Sequence, residues 1–223
     1  MKNLLVLDID GTVTESDRSI RVETMEALRK IKKERPDVIT VLVSGNVLPV
    51  MYGIRGIIGV GEALFAENGG ILLHNGIIQK FFEPEITRKA FEKIHREMGA
   101  IEFITNRWRE TSVSFILDGN NDFSSYEREF DVRIEDSGFA KHIMNRGQNK
   151  GFAVRKIMEI YGVDKENVYA CGDGENDITM FKEAGFTGCP ANSNPRLKEI
   201  SGFVSEKYYG DGLLDILHHF SFI

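Results

Sequence analysis

Apolar and polar positions alternate along the chain in patterns that change twice, dividing it into three stretches. Residues 3 to 9 (NLLVLDI) form an almost unbroken apolar run, as in a strand buried on both faces of a parallel sheet. From Val22 to Arg35, Met25, Leu28 and Ile31 recur at helical spacing until Pro36 stops the helix, and a second buried run, VITVLVS, follows at 38 to 44. A helix is predicted over Val47 to Ile58. After it ALFAE, GGILLH and GIIQKFF read as short strands, with Asn75-Gly76 turning a hairpin.

From Glu85 to Gly99 the period becomes that of an amphipathic helix, with Ile86, Ala90, Ile94 and Met98 on one face. Strand-like EFIT and TSVSFIL follow, then a short helix over Phe123 to Phe130 and two more strands, VRIED and KHIMN. Residues 82 to 148 therefore read as a small α+β module inserted into the first pattern. Buried-strand character returns in NVYACGD at 167 to 173, flanked by helices near 151 to 161 and 176 to 184. FTGCP and GFVSE are two further short strands, and Leu213 to Phe220 is a closing helix. The expected organisation is α/β, with a core of residues 1–81 and 149–223 interrupted by the module at 82–148.

The 223 residues suffice for a sizeable core, and 42% apolar with 28% charged residues is an ordinary globular balance. A net charge of -6 disfavours nucleic acid, which requires a basic face. Cys171 and Cys189 form neither a CxxC pair nor a zinc ligand set and read as reduced packing residues. The apolar start lacks the order of a secretion signal, and the apolar stretch Val47 to Ala66 is broken by Pro49, Arg55, Glu62 and glycines. A cytoplasmic protein with no membrane role is the expectation.

In an open α/β sheet, ligands gather outside the carboxyl ends of the strands, which here carry Asp8 and Asp10, Ser44, and Asp173. Carboxylates held so close raise one another's pKa unless a cation intervenes, and an all-oxygen set suits Mg²⁺. With a phosphate against that cation, Asp8 is placed to attack phosphorus, and Asp10 to protonate the leaving oxygen and then deprotonate water. Ser44, backbone N–H groups around Gly11 and Gly45, and the Lys150 ammonium are candidate donors to the phosphoryl oxygens. Lys150 also opens a predicted helix, whose dipole attracts anions. Each piece has a plainer reading: Asp-x-Asp-Gly as a turn, Ser44-Gly45-Asn46 as a helix cap, Lys150 as a solvated lysine. GDGEND at 172 to 177, with three acids directly after a buried strand, is harder to explain as a plain loop.

Taken together, DIDGT at 8 to 12, Ser44 in VSGN, Lys150 and GDGEND resemble the four motifs of the haloacid dehalogenase superfamily. That resemblance implies a Rossmann-like parallel-sheet core with an inserted α+β cap, Asp8 as nucleophile and Asp10 as acid/base. It also implies Mg²⁺ held by Asp8, by the backbone carbonyl of Asp10, and by Asp173 and Asp177, with Ser44 and Lys150 on the phosphate. An insertion between the second and third motifs, together with ENGG at 67 to 70, resembles the Cof-like branch with an α/β lid. SGNVLPVMYG, AENGGI, TNRWRE and MNRGQNKGFAV are similar to segments of the archaeal phosphoglycolate phosphatases of that branch. The related sugar-phosphate phosphatases often carry Arg where this chain has Asn46.

The implied partner is a small-molecule phosphate monoester, acted on by a monomer or homodimer. Arg107 and Arg109 are the cap candidates for binding a substrate carboxylate, the alternative being solvated arginines around a packed Trp108. His142, His218 and His219 read as structural or solvated. A sugar-phosphate phosphatase or a phosphomutase would use the same aspartate. A receiver-type phosphoaccepting module would need neither Asp10 nor an insertion.

Overall fold

The computed structural model describes residues 2–136 and 140–223; Met1 and residues 137–139, the latter inside the expected insertion, lie outside the described residues. The chain opens with β1 (Asn3–Leu7), α1 (Val22–Glu34), β2 (Val38–Val43), α2 (Leu48–Ile58) and β3 (Ala63–Ala66). A hairpin of β4 (Ile71–His74) and β5 (Ile77–Lys80) follows, turned at Asn75 and Gly76, both at positive φ. The inserted stretch supplies α3 (Glu85–Met98), β6 (Ile101–Glu102), β7 (Val113–Ile116), α4 (Ser124–Phe130), β8 (Val132–Asp136) and β9 (Lys141–Asn145). The chain then returns through α5 (Lys150–Tyr161), β10 (Val168–Cys171), α6 (Ile178–Phe181), β11 (Phe186–Cys189), α7 (Pro195–Ile200), β12 (Phe203–Val204) and α8 (Tyr209–His219).

Eight strands make one sheet in the order β12-β11-β10-β1-β2-β3-β4-β5, parallel from β12 to β3 and antiparallel through the hairpin. Strand β1 alternates its side chains between two cores. Leu5 and Leu7 pack with Leu28, Ile31, Leu213 and Ile216 of α1 and α8, while Leu4 and Val6 pack with Val154, Ile157, Met180 and Leu197 of α5, α6 and α7. Each such side chain, once fully buried, contributes about 1.5–3 kcal/mol. The continuous apolar runs follow from this double coverage. The free thiols Cys171 and Cys189 belong one to each core. No helix among the described residues is long and apolar enough to cross a membrane.

The inserted elements form a separate antiparallel sheet, β6-β7-β9-β8. One face carries Val113, Phe115, Val132 and Ile143 against Ala90 and Ile94 of α3. The period of two places Ser112, Ser114, Arg133, Glu135, His142 and Met144 on the other.

Four elements depart from expectation. The strand at EFIT shortens to Ile101–Glu102 and gives way to a 3₁₀ turn over Ile104–Trp108. There the Asn106 amide accepts from the Ser114 N–H at 2.7 Å and donates to its carbonyl at 2.8 Å, taking the place of a ladder pair. The helix expected at 176 to 184 shrinks to a 3₁₀ turn, Glu175–Asp177, and the four residues of α6. The closing helix starts at Tyr209, before the predicted Leu213, because Gly210 and Gly212 let it lie against its neighbours; a Cβ on Gly212 would stand 2.5 Å from that of Pro190. Helix α7, too short to show a period, starts at Pro195 behind Asn194, whose side chain accepts from the Arg196 N–H.

Candidate active site

Strand β1 lies between β2 and β10, so its carboxyl end is the switch point at which neighbouring connections diverge. Asp8 follows the last residue of β1, Ser44 the last of β2, and Asp173 stands two beyond β10. Lys150 is the first residue of α5, fixed there because the preceding Asn149 side chain accepts from the Phe152 N–H at 2.9 Å. These ends enclose a cleft of about 490 Å³ lined by Asp8, Asp10, Gly45, Asn46, Asn68, Lys150, Asp173 and Asn176 from the core. Arg133, Glu135 and His142 line it from the inserted sheet.

Lys150, 2% exposed, donates to Asp8 at 2.5 Å and to Asp177 at 2.6 Å. Burial lowers its pKa, yet the two carboxylates outweigh burial and hold it above the ordinary lysine value. Burial raises Asp8 well above the usual carboxylate range; Lys150 opposes this, while Asp177, Asp173 and Asp10 add to it. Asp173 is pushed up to about 7 by burial and by the Asp177 charge. One ammonium therefore leaves the acids undercompensated. Carboxylate oxygens of Asp8, Asp173 and Asp177 lie within 4.8 Å of one another. An all-oxygen set with excess negative charge fits a hard divalent cation such as Mg²⁺.

The Asp10 carboxylate is turned away from that cluster. Its Oδ2 accepts from Asn46 Nδ2 at 2.7 Å and from Ser44 Oγ at 3.3 Å. Thr12 and Asn192 both donate to Asp173 at 3.3 Å, and Gly11 approaches it so closely that a Cβ would stand 2.3 Å from Asp173 Oδ2. With φ at +83°, only glycine fits there. Asp177 closes its own loop by accepting from the N–H groups of Asp173 and Gly174.

The structure thus brings Asp8, Asp10, Ser44, Gly45, Lys150, Asp173 and Asp177 to one place. The two candidate arginines lie elsewhere. Arg107 is exposed and does not line the cleft, and the intervening Trp108 is 52% exposed rather than packed. Arg109 is only 7% exposed and bonds to Gly45 and Ser112. His142, in contrast, belongs to the cleft, where it bonds Ser114 at 2.9 Å. Burial and the nearby Arg109 charge push it down to about 3, so it is neutral near pH 7. Asn46, Asn68 and Arg133 also line the cleft; the first two stand within VSGN and ENGG, but neither segment by itself shows that these amides reach the site. For Arg133 the signal was available in VRIED, where alternation sets it opposite buried Val132 and half-buried Ile134.

A family model for haloacid dehalogenase-like hydrolases matches residues 5–137 and 121–217. The chain belongs to the haloacid dehalogenase-like hydrolases. It is 44% identical over 226 positions to a Picrophilus torridus protein named phosphoglycolate phosphatase, covering 100% of this chain and 93% of the relative. A crystal structure of a Thermoplasma acidophilum protein superposes with a TM-score of 0.91 at 36% identity, covering 100% of both chains. The sucrose-phosphatase of Synechocystis, with a TM-score of 0.81 over 99% of each chain but 15% identity, shares the fold. As in these hydrolases, the second sheet is an inserted cap on a Rossmann-like core.

Proposed function

We propose that this hydrolase is a Mg²⁺-dependent phosphoglycolate phosphatase, releasing glycolate and inorganic phosphate. The observation that carries the substrate is similarity through core and cap alike to a relative of that name. Residues 1–81 and 149–223 act as the core and 82–148 as the cap.

Asp8 is the nucleophile: its carboxylate oxygen forms a bond to phosphorus as the bond to the glycolate oxygen breaks. Asp10, steered by Asn46 and Ser44, donates the proton that the departing oxygen needs. It then takes a proton from water as the water oxygen attacks phosphorus, freeing Asp8 and phosphate. Lys150 offers its charge to the phosphoryl oxygens and favours the ionised form of Asp8 against the effect of burial. Ser44 and the backbone at Gly45 hold the phosphate. When bound at Asp8, Asp173, Asp177 and the Asp10 carbonyl, Mg²⁺ supplies neutralisation of the phosphate charge. Above the cleft, Arg133 is the arginine among the described lining residues. It pairs with Glu135 at 2.8 Å and takes the role of binding the glycolate carboxylate.

The test is kcat/KM across phosphate monoesters, with phosphoglycolate beside sugar phosphates, in Mg²⁺ and after EDTA. Phosphoglycolate is expected to lead, with activity lost in chelator and restored by Mg²⁺. A preferred sugar phosphate would reject the substrate, and undiminished turnover in chelator would reject the metal.

A further inference from the structure

The Ser44–Asn46 loop makes no use of its carbonyls in the cleft, because all three are engaged behind it. The Ser44 carbonyl accepts from the Asn68 N–H at 2.9 Å, and the Asn46 carbonyl from the Glu67 N–H at 2.9 Å. The middle one, Gly45, accepts from Arg109 Nη2 at 3.1 Å, across from the cap. A residue of the cap thus fixes the central peptide of the loop read as the phosphate-binding element.

A matching arm runs the other way. Glu67, fully buried at the end of β3, sends its carboxylate into the cap. It accepts from the N–H groups of Glu110 at 2.8 Å and Thr111 at 3.0 Å, from Thr111 Oγ1 at 2.9 Å and from Ser112 Oγ at 2.7 Å. Ser112 Oγ in turn accepts from Arg109 Nη1 at 3.0 Å, so one hydroxyl bridges the buried anion and the buried cation. Gln148, at the cap's exit, donates to the Glu67 carbonyl at 2.6 Å and to Thr111 Oγ1 at 2.9 Å. The fit leaves no slack: a Cβ on Gly70 would stand 2.1 Å from Thr111 Oγ1. Glu67 and Asn68 both hold left-handed backbone, at φ 51° and 54°, a conformation that non-glycine residues adopt only when their surroundings impose it.

We infer that Arg109 and Glu67, one from each module, form a reciprocal clasp that keeps the Ser44–Asn46 loop in its phosphate-binding shape. The cap then sets phosphate affinity as well as leaving-group choice. Arg109 is a positioning residue, acting through the Gly45 peptide, and not the reader of the substrate carboxylate that its sequence context suggests. Without its hold the Gly45 carbonyl is free to turn toward the phosphate, where an acceptor repels the anion. Lysine cannot replace it, because a single ammonium does not span Gly45 and Ser112 as the fork does.

The inference rests on the reading of Ser44 as part of the phosphate site, and the experiment separates the two. Inorganic phosphate is used as a competitive inhibitor of the Mg²⁺-supplied enzyme, with phosphoglycolate and p-nitrophenyl phosphate as substrates, for Arg109→Met, Arg109→Lys, Glu67→Gln and Ser44→Ala. The clasp predicts that Ki for phosphate and KM for both esters rise together by about tenfold in each Arg109 variant and in Glu67→Gln. Should Arg109→Met fail to fold, Arg109→Lys carries the test, because it keeps the charge and the stem. An unchanged phosphate Ki with a loss confined to phosphoglycolate would make Arg109 a carboxylate reader and overturn the clasp. A raised Ki in Ser44→Ala beside silent Arg109 and Glu67 variants sinks the clasp alone. An unchanged Ki in Ser44→Ala removes the phosphate-loop reading and the clasp with it.

Discussion

The floor and the roof of the cleft are built on opposite principles. The floor sets four acids and one lysine at the ends of parallel strands and the start of α5, where Asp8, Asp177 and Lys150 are buried, Asp10 and Asp173 are half-buried, and each is engaged: Lys150 with Asp8 and Asp177, Asp10 with Asn46, Asp173 with Thr12 and Asn192. The roof is the polar face of a small antiparallel sheet carrying a mixed set, Ser114, Arg133, Glu135 and His142, contributed one at a time by alternate positions. On the proposed mechanism the floor carries the phosphorus chemistry, and the roof meets whatever is attached to the phosphate. The roof's cleft-facing side chains stand on the opposite face of the sheet from the apolar residues that pack on α3.

The largest effect should come from the floor. Asp8→Asn is expected to lower phosphate release by at least about a thousandfold, because the shape remains while the nucleophile is lost. It should melt no lower than the parent without metal, since it removes a carboxylate that burial already disfavours; calorimetry in EDTA checks this. Retained turnover would mean that the floor does not carry the phosphorus chemistry.

Lys150→Met comes next. It leaves Asp8 and Asp177 buried without their cation, so a loss of about 3–5 kcal/mol in the metal-free protein is expected, with kcat falling on every ester alike. Denaturant titration and a two-substrate assay measure both. A drop confined to one ester would blur the line between floor and roof.

The roof predicts the reverse pattern. Arg133→Met should lower kcat/KM for phosphoglycolate by about 10- to 100-fold and leave p-nitrophenyl phosphate nearly unchanged. An equal loss on both would place Arg133 with the catalytic floor.

The smallest effect concerns His142 and appears only on acidification. Its imidazole is held down to about 3 in the folded chain against 6.5 when free. Between those values the unfolded state binds the extra proton, so stability falls as pH drops from about 6.5 toward 3. His142→Gln should flatten that part of the curve and leave stability at pH 7.5 little altered. Denaturation midpoints at pH 7.5 and pH 5 give the difference, and parallel curves would deny His142 its buried, neutral state.

The contrast also explains what was legible. DIDGT, VSGN and GDGEND are contiguous because a strand end followed by a turn must present its chemistry within a few residues, so Asp8, Asp10, Ser44 and Asp173 could be read from the chain. TNRWRE displays two arginines just as plainly, yet Arg107 points outward and Arg109 is folded into the junction. Whether a guanidinium reaches substrate or a neighbouring carbonyl depends on where the cap docks, and Gly45 lies 64 positions away from Arg109. The missed α7 and the early start of α8 have a related cause: a capping side chain and two glycines under close contact decided them, against too short a period or a poor propensity.

By itself, then, the sequence determined the parallel core, the insertion between Ser44 and Lys150, and the gathering of carboxylates at the strand ends, because all of these depend on local periodicity and short spacings. Only the tertiary structure decided that Asn46 steers Asp10, that Arg133 and His142 face the cleft, and that Arg109 and Glu67 join the two modules. Those roles depend on which residues distant in sequence share a buried, low-dielectric space, and that is settled when the two sheets pack together.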